Sequence, residues 1–178
     1  MTLRRLLPED AAIYREVRLE ALATSPDAFA STVEMEREQP LERFSARLAD
    51  SFVVGAFDGA ELVGIAGFYV RAGPKHAHKG MLVGMFVRPQ YRGTGLGGRL
   101  VEAIIGHARE RVELLQLFVV SDNLPARRLY QRFGFVEYGV ERHATKYRGQ
   151  YHDDALMALD LTTIPDTGAS ALTEEQPA

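Results

Sequence analysis

Residues 83–100 read VGMFVRPQYRGTGLGGRL, and the pattern of this stretch is the strongest indication of the fold in the chain. Residues 83–87 have the bulky and β-branched apolar side chains of a buried strand, which Pro89 ends because it has no N–H to donate. A glycine-rich turn over residues 92–98 follows and opens an amphipathic helix with one apolar stripe, formed by Leu96, Leu100, Ile104 and Ala108. Free N–H groups at a helix start attract anions, so the stretch predicts a strand, a phosphate-binding turn and a helix that packs on a sheet.

Gly93, Gly95 and Gly98 also match the dinucleotide-binding pattern G-x-G-x-x-G. In that fold the glycines follow the strand directly and open a repeating strand–helix–strand unit near the start of a domain. Here 82 residues precede the strand, and a proline and an arginine separate it from the glycines. The context therefore favours a different phosphate-bearing ligand, with a nicotinamide-dependent oxidoreductase as an alternative.

The composition limits the class of protein. The chain has 178 residues, 46% of them hydrophobic, which is enough for one globular domain with a core. A net charge of −3 argues against a nucleic-acid partner, and no apolar run is long enough to span a bilayer. The absence of cysteine excludes disulfides, thiolate catalysis and zinc ribbons, and His76 with His78 alone cannot complete a metal site. We therefore expect a cytoplasmic protein without a metal and without a membrane partner.

The order of patterns along the chain predicts a mixed α/β (α+β) domain over residues 1–161. A strand is followed by two helices, a hairpin at Asp58-Gly59, a further strand, the helix of residues 95–111, a strand, a helix and two final strands. Residues 114–120 are nearly all apolar, as in a strand that is covered on both faces. Residues 29–39 carry three glutamates and are expected to form an acidic connector with a solvated face. Residues 162–178 lack an apolar period and are expected to be a disordered tail.

Two motifs give the chain a family resemblance. A proline, an aromatic residue, an arginine and Gly-x-Gly-x-Gly follow one another across residues 89–97, and this order resembles motif A of the GNAT family of N-acetyltransferases. Residues 123–135, NLPARRLYQRFGF, resemble motif B of the same family. The resemblance covers about residues 2–161. It implies the acyltransferase fold of the family, a mixed twisted sheet of about seven strands flanked by about four helices.

The resemblance also implies an enzyme that moves the acetyl group of its co-substrate acetyl-CoA directly to a primary amine, without a covalent enzyme intermediate. The main chain of residues 85–87 would face the acetyl group and the pantetheine arm, and the glycine turn would hold the pyrophosphate. Tyr130 would stand at the thioester sulfur as the catalytic acid. Carried over to this sequence, the coenzyme-binding residues are Met85, Phe86, Val87, Arg92, Gly93, Thr94, Gly95, Leu96, Gly97, Gly98, Asn123, Ala126 and Tyr130.

From the residues alone, three of these positions also have a simpler explanation. Tyr130 fits a core aromatic beside Leu129 and Phe133. Asn123 fits a helix cap, and Arg92 fits a solvated surface arginine. A cap and a coenzyme contact are compatible for Asn123, because the cap uses only its side-chain oxygen.

The sequence defines the general base and the acceptor less well. Where some members of the family carry glutamates on the two central strands, this chain has Leu82 and Phe118. Groups elsewhere that could act through water are Glu34, Glu36, Glu141, His143 and Asp153. The acidic connector and residues 142–154 are expected to border the cleft, and from this region we select as acceptor-binding residues Glu34, Glu36, His143 and Tyr147. The charges there suggest a small cationic or zwitterionic amine.

A small-molecule amine is therefore the expected acceptor, and a protein N-terminus or lysine is the alternative within the class. A non-catalytic module that senses acetyl-CoA is an alternative outside it. The two differ at Tyr130, whose hydroxyl only an enzyme would need. A homodimer also remains open.

Overall fold

The apolar segments within residues 1–163, the part of the chain that the computed structural model describes, pair into one seven-stranded sheet. The strands are β1 (Thr2–Arg5), β2 (Phe52–Asp58), β3 (Glu61–Val70), β4 (Lys79–Val87), β5 (Leu114–Val120), β6 (Val136–Tyr147) and β7 (Gln150–Asp160). Their order in the sheet is β1-β2-β3-β4-β5-β7-β6. All neighbours are antiparallel except β4 and β5, which are parallel because a helix connects them.

Five α-helices within the described residues cover the two faces of this sheet, and they are α1 (Ala11–Thr24), α2 (Val33–Arg37), α3 (Leu41–Asp50), α4 (Leu96–Arg109) and α5 (Leu124–Arg132). Along β2, Val54 and Ala56 belong to one buried cluster, and Val53 and Phe57 belong to another. Because successive strand residues point to opposite faces, α4 and α5 cover one face and α1 and α3 the other. In the described part of the chain no helix has the length and hydropathy of a membrane span.

The pairing between β4 and β5 is unusually short. It joins residues 79–81 to residues 114–116 and then stops, although both strands continue. A bulge in β4 includes Gly84, whose φ is +63°, and shifts the register against β3 beyond this point. The facing edges of the two strands therefore have unpaired backbone groups that open toward the start of α4. We refer to this opening as the split.

The structure differs from the sequence prediction in the acidic connector. Residues 33–37 of the connector form α2, which makes five α-helices among the described residues rather than about four. Thr32 caps this helix by accepting a hydrogen bond from the Met35 N–H at 3.3 Å. Glu36, which was expected on a solvated face, is only 4% exposed because it forms ion pairs with two arginines.

The last hairpin is longer than its sequence pattern indicates. Strand β6 continues to Tyr147 because a bulge between Glu141 and Thr145 absorbs extra residues, with His143 at a φ of +54°. Asp153 holds the bulge by accepting a hydrogen bond from the His143 N–H at 2.8 Å. The bulge interrupts the alternation on which the prediction depended. The predicted tail of residues 162–178 lies outside the described residues except for its first two positions.

A buried arginine links the first helix to the sheet. Arg88 follows β4 and is only 9% exposed. Its guanidinium pairs with Glu16 and Glu20, one turn apart on α1, at 3.2 and 2.8 Å, and also with Glu61 at the start of β3. Three carboxylates around one guanidinium compensate for its lost hydration. Arg88 therefore fixes α1 beside the end of β4.

We expect Arg88→Ala to lower the free energy of unfolding by about 1–3 kcal/mol, because α1 loses its link to the sheet and three carboxylates lose their common partner. Glu110→Gln breaks the exposed pair between Glu110 and Arg111 and is the control, with an expected change below about 0.5 kcal/mol. Urea denaturation measures both variants. Equal effects would contradict the structural role of Arg88.

Candidate active site

The turn between β4 and α4 presents a row of backbone donors. Among the described residues, the N–H groups of residues 93 to 98 have no acceptor, and the next N–H, that of Arg99, donates to the Gly95 carbonyl at 3.3 Å. These N–H groups lie at the positive end of the α4 dipole. The turn therefore has the donors and the field that a diphosphate requires.

The four glycines of this turn have two different tasks. Gly93 and Gly95 have φ values of +78° and +84°, and a Cβ added to either would meet no atom within 4 Å, so their open side is accessible to a phosphate. Gly97 and Gly98 lie within α4. An added Cβ at each would approach to 3.3 Å a side chain of α5 or of the residue that follows it. Their lack of a side chain therefore lets α5 pack against the start of α4.

The open end of the split lies next to this turn. The Arg88 N–H donates to the Val63 carbonyl of β3 at 3.0 Å, and successive N–H groups of a strand point to opposite edges. The Val87 N–H therefore points away from β3 and into the split. Arg92 donates from Nε to the Val87 carbonyl at 3.1 Å. This bond holds the exposed Arg92 side chain at the mouth of the split.

Helix α5 carries the residues of the second motif. Asn123 caps it by accepting a hydrogen bond from the Ala126 N–H at 3.2 Å, which leaves its amide nitrogen available for a ligand. Tyr130 is 6% exposed and packs edge-to-face on Phe135, with ring centroids 5.8 Å apart. Burial raises the pKa of Tyr130, so its hydroxyl is a protonated donor at neutral pH.

A cavity of about 710 Å³ lies on the face of the sheet that α1 and α3 cover. Residues 81–84 of β4, together with Phe118 and Val120 of β5, form its floor along the split. Residues of the first three helices and of the last hairpin form its walls. Of the two positions where some relatives carry glutamates, Phe118 lines the cavity with an exposed apolar side chain, whereas the Leu82 side chain packs in the core on the α4 face. An acceptor in this cavity would lie along the split.

A model of the acetyltransferase (GNAT) family matches residues 15–135, which contain the phosphate turn and both sequence motifs. The chain belongs to this family. It is an acetyl-CoA-dependent N-acetyltransferase, as the two motifs predicted. The turn of residues 93–98 fits the diphosphate of the coenzyme, and the mouth of the split fits its thioester end.

Relatives of this acetyltransferase differ in the acceptors that their names give. The chain is 33% identical to the aminoglycoside N(6')-acetyltransferase type 1 of Stenotrophomonas maltophilia, over 61% of this chain and 68% of that enzyme. It is 35% identical to the N-alpha-acetyltransferase RimI of Mycobacterium tuberculosis, over 62% and 69%. It is 25% identical to the L-amino acid N-acetyltransferase AaaT of Escherichia coli, over 82% and 90%. The reaction class is therefore common to these relatives, and the acceptor is not.

Solved structures confirm the predicted fold. An acetyltransferase of the GNAT family from Streptococcus pneumoniae superposes with a TM-score of 0.80 at 24% identity, over 89% of this chain and 98% of that chain. An acetyltransferase from Salmonella typhimurium, solved with its cofactor acetyl-CoA, superposes with a TM-score of 0.76 at 23% identity, over 95% and 98%. At these identities the likeness concerns the fold, including the mixed seven-stranded sheet.

Of the residues predicted to bind the acceptor, the structure brings only Glu36 to the cavity. Glu34 is exposed at the start of α2, away from the cavity lining. His143 lies at the β6 bulge, where its ring stacks on Tyr151 with centroids 4.3 Å apart. Tyr147 ends β6 and does not line the cavity either. The long hairpin directs the side chains of His143 and Tyr147 elsewhere.

The candidate general bases have other partners. Burial by itself raises the pKa of Glu36, but the hydrogen bonds and charges of Arg18 and Arg47 outweigh it and lower that pKa below its ordinary value. A carboxylate with a lowered pKa accepts protons poorly, which argues against Glu36 as the base. Asp153 accepts the hydrogen bond of the β6 bulge, and Glu141 is exposed.

Sequence reasoning included position 154 in the segment expected to border the cleft but did not select Asp154 as a site residue, and this residue lines the cavity from β7 opposite Val120 of β5. Burial, and then the charge of Glu141, raises the pKa of Asp154. The signal was available in the alternation of β7, because buried residues 155, 157 and 159 place residue 154 on the opposite face. Which element would cover that face could not be deduced from the strand alone.

We expect Gly95→Ala to weaken acetyl-CoA binding at least about tenfold, because a Cβ at a φ of +84° is strained and the turn must rotate its N–H groups. Gly106→Ala is the control, in the interior of the helix that Gly95 precedes, where an added Cβ meets no atom within 4 Å. It should bind the coenzyme normally and be more stable by about 0.5–1 kcal/mol. Isothermal titration calorimetry measures the Kd, and equal values for both variants would argue against the turn as the diphosphate site.

Proposed function

We propose that this enzyme transfers the acetyl group of acetyl-CoA to the primary amine of a small molecule by direct attack of the amine. One continuous path carries the proposal. The free N–H groups of residues 93–98 adjoin the split between β4 and β5, and the split is the floor of the 710 Å³ cavity. Acetyl-CoA supplies an acetyl group that is already activated as a thioester. The chain therefore has to hold the coenzyme at the turn and the amine in the cavity.

The backbone at the mouth of the split stabilises the negative charge that develops on the carbonyl oxygen of the thioester. The Val87 N–H points into the split, and its place in a paired strand fixes its direction before the substrates bind. A donor that needs no reorganisation stabilises an oxyanion more than a mobile one does. Val87 is therefore the oxyanion donor of this proposal.

Tyr130 donates a proton to the leaving sulfur. As the nitrogen–carbon bond forms and the carbon–sulfur bond breaks, the sulfur gains an electron pair and needs a proton. The raised pKa keeps the Tyr130 hydroxyl protonated, and a buried phenol that donates to sulfur replaces the water that the site excludes. After the attack the nitrogen loses one proton, and this proton restores the hydroxyl of the Tyr130 phenolate, so that the enzyme returns to its starting state.

The size of the cavity favours a small molecule. About 710 Å³ lies within the range of roughly 300–1,000 Å³ that is usual for small-ligand sites. The names of two relatives, an aminoglycoside N(6')-acetyltransferase and an L-amino acid N-acetyltransferase, point to acceptors of this kind. Together these observations support a primary amine of low molecular weight.

A protein N-terminus is the second candidate, because the cavity continues into another of about 510 Å³. The two share the lining residues Arg18, Arg47, Asp50, Val83 and Gly84, so they form one longer groove along β4. An extended peptide end fits such a groove. The relative named N-alpha-acetyltransferase also supports this candidate.

Release of coenzyme A, measured with a thiol reagent, tests the proposal. The acceptors are a panel of amino acids, monoamines, polyamines, aminoglycosides and peptides with free N-termini, each with acetyl-CoA. Turnover with a free small amine supports the proposal. Turnover with peptides alone would establish the second candidate, and coenzyme binding without any turnover would leave an acetyl-CoA sensor.

We expect Tyr130→Phe to lower kcat about 100-fold and to leave the Kd for acetyl-CoA nearly unchanged, because only proton donation to sulfur is lost. Tyr138→Phe removes a hydroxyl outside the cavity lining and is the matched control, with kcat near that of the parent enzyme. Steady-state kinetics and calorimetry give the two quantities. If Tyr130→Phe keeps its full kcat, Tyr130 is only a core aromatic.

A further inference from the structure

Among the cavity-lining residues of α1, α2 and α3, positive charges exceed negative ones by one, and Asp27, a lining acid between α1 and α2, lies 3.7 Å from His152. Arg18 of α1 and Arg47 of α3 share a single carboxylate, Glu36 of α2, at 2.8 and 3.2 Å. The side chains of Arg18 and Glu36 are only 11% and 5% exposed. Arg43 and Asp50 also line the cavity, but both are exposed and their charges are opposite. The Arg47 side chain is 41% exposed, so the excess charge of the trio favours an anion from a ligand that fills the cavity and displaces this solvent.

The strand wall carries the opposite charge. Asp154 of β7 forms no hydrogen bond or ion pair with another described residue. The groups around it do not neutralise it, because Glu141 lies opposite on β6 and Asp153 is its neighbour along the strand. His152 lies on the same strand but pairs with Asp27 at 3.7 Å. The residue opposite Asp154 on β5 is apolar. The Asp154 carboxylate therefore has no paired cation among the described residues.

On the basis of the proposed function, we propose that the acceptor carries an anionic group, such as a carboxylate, in addition to its primary amine. The amine lies at Asp154, and the anion lies at Arg18 and Arg47. In a molecule with both charges, the amine pairs with Asp154 while the anion pairs with Arg18 and Arg47. A polycation would satisfy Asp154 but would place a further positive charge near the arginines, so polyamines and aminoglycosides are disfavoured. Amino acids are the simplest molecules with the required chemistry.

Asp154 is also positioned to accept the proton that the ammonium group of the acceptor loses. An ammonium must lose a proton before its nitrogen can attack, and the electron pair of the broken N–H bond then remains on the nitrogen. The proton passes to a carboxylate oxygen of Asp154, and Asp154 releases it to water after the amide has formed. A carboxylate that burial has made more basic performs this step better than an exposed aspartate does.

Matched acceptors test the charge requirement. For one carbon skeleton, kcat/KM is measured for alanine, alaninamide and ethylamine, and the spacing of the charges is varied with β-alanine and 4-aminobutyrate. We expect at least one amino acid of the series to exceed its uncharged counterpart about tenfold or more. If amides, monoamines or polyamines are preferred, this inference is wrong while the proposed function stands. If no amine is acetylated, the proposed function itself fails.

A variant of the helical wall tests the position of the anion. Arg47→Gln leaves Arg18 and Glu36 as a neutral pair, so the preference for an acid over its amide should fall about tenfold while turnover of the amide persists. Arg37→Gln removes an exposed arginine of α2 that does not line the cavity and should keep the preference. A merely structural role of Arg47 would lower both rates equally and overturn the assignment.

Asp154→Asn tests the position of the amine. The variant should lose about 100-fold in kcat at pH 7 and less at pH 9.5, where more of the amine arrives unprotonated. The raised pKa of Asp154 means that its charge destabilises the folded state above the ordinary pKa of an aspartate, so the variant should have a higher Tm at pH 7 and no gain at pH 3.

The control for Asp154 is Glu141→Gln. It removes a like charge beside Asp154 and so lowers the pKa of Asp154, which should move the acid limb of the kcat/KM profile to lower pH without reducing the maximum. Full kcat in Asp154→Asn at pH 7, or an acid limb that stays in place in Glu141→Gln, would overturn the role of Asp154.

Discussion

Strands β4 and β5 pair over only three residues on each strand, and most of the site depends on that short pairing. Beyond Met81 the edge of β4 is free, so the Val87 N–H points into an opening rather than into a ladder. The same opening supplies the floor of the 710 Å³ cavity. The sheet remains intact because β4 pairs with β3 on its other edge, β5 pairs with β7, and α4 packs its apolar stripe across one face. The absence of a few backbone hydrogen bonds between β4 and β5 thus leaves the opening in which the candidate site lies.

Arg88 differs from Arg18 and Arg47 in how completely the chain neutralises its charge. Arg88 meets three carboxylates and binds α1 to the sheet, with all its partners supplied by the chain. Arg18 and Arg47 have only Glu36 between them, and they face a cavity instead of a packed interface. Burial makes an incomplete charge balance costly, so it persists where a ligand completes it. The same reasoning distinguishes Asp154 from its neighbour Asp153, which already holds the β6 bulge.

The four glycines of the phosphate turn have two roles, one in exposing backbone N–H groups and one in helix packing. Gly93 and Gly95 give the backbone a left-handed path with exposed N–H groups, whereas Gly97 and Gly98 admit α5 against α4. The second contact positions Asn123 and Tyr130 relative to the first. In the proposed function, coenzyme binding at the turn and the placement of Tyr130 are therefore coupled through the start of α4.

The sequence by itself determined the strand, the phosphate turn and the helix of residues 83–100, the second motif, and the class of reaction. These features are local, because periodicity, proline and glycine act on the backbone within a few residues. It did not determine the acceptor side, since Glu36 acquires its partners from α1 and α3, and the β6 bulge directs His143 and Tyr147 away from the cavity. Only the tertiary structure placed Arg18, Arg47 and Asp154 around one space, because the positions of charges on distant elements follow from packing and register rather than from any short pattern.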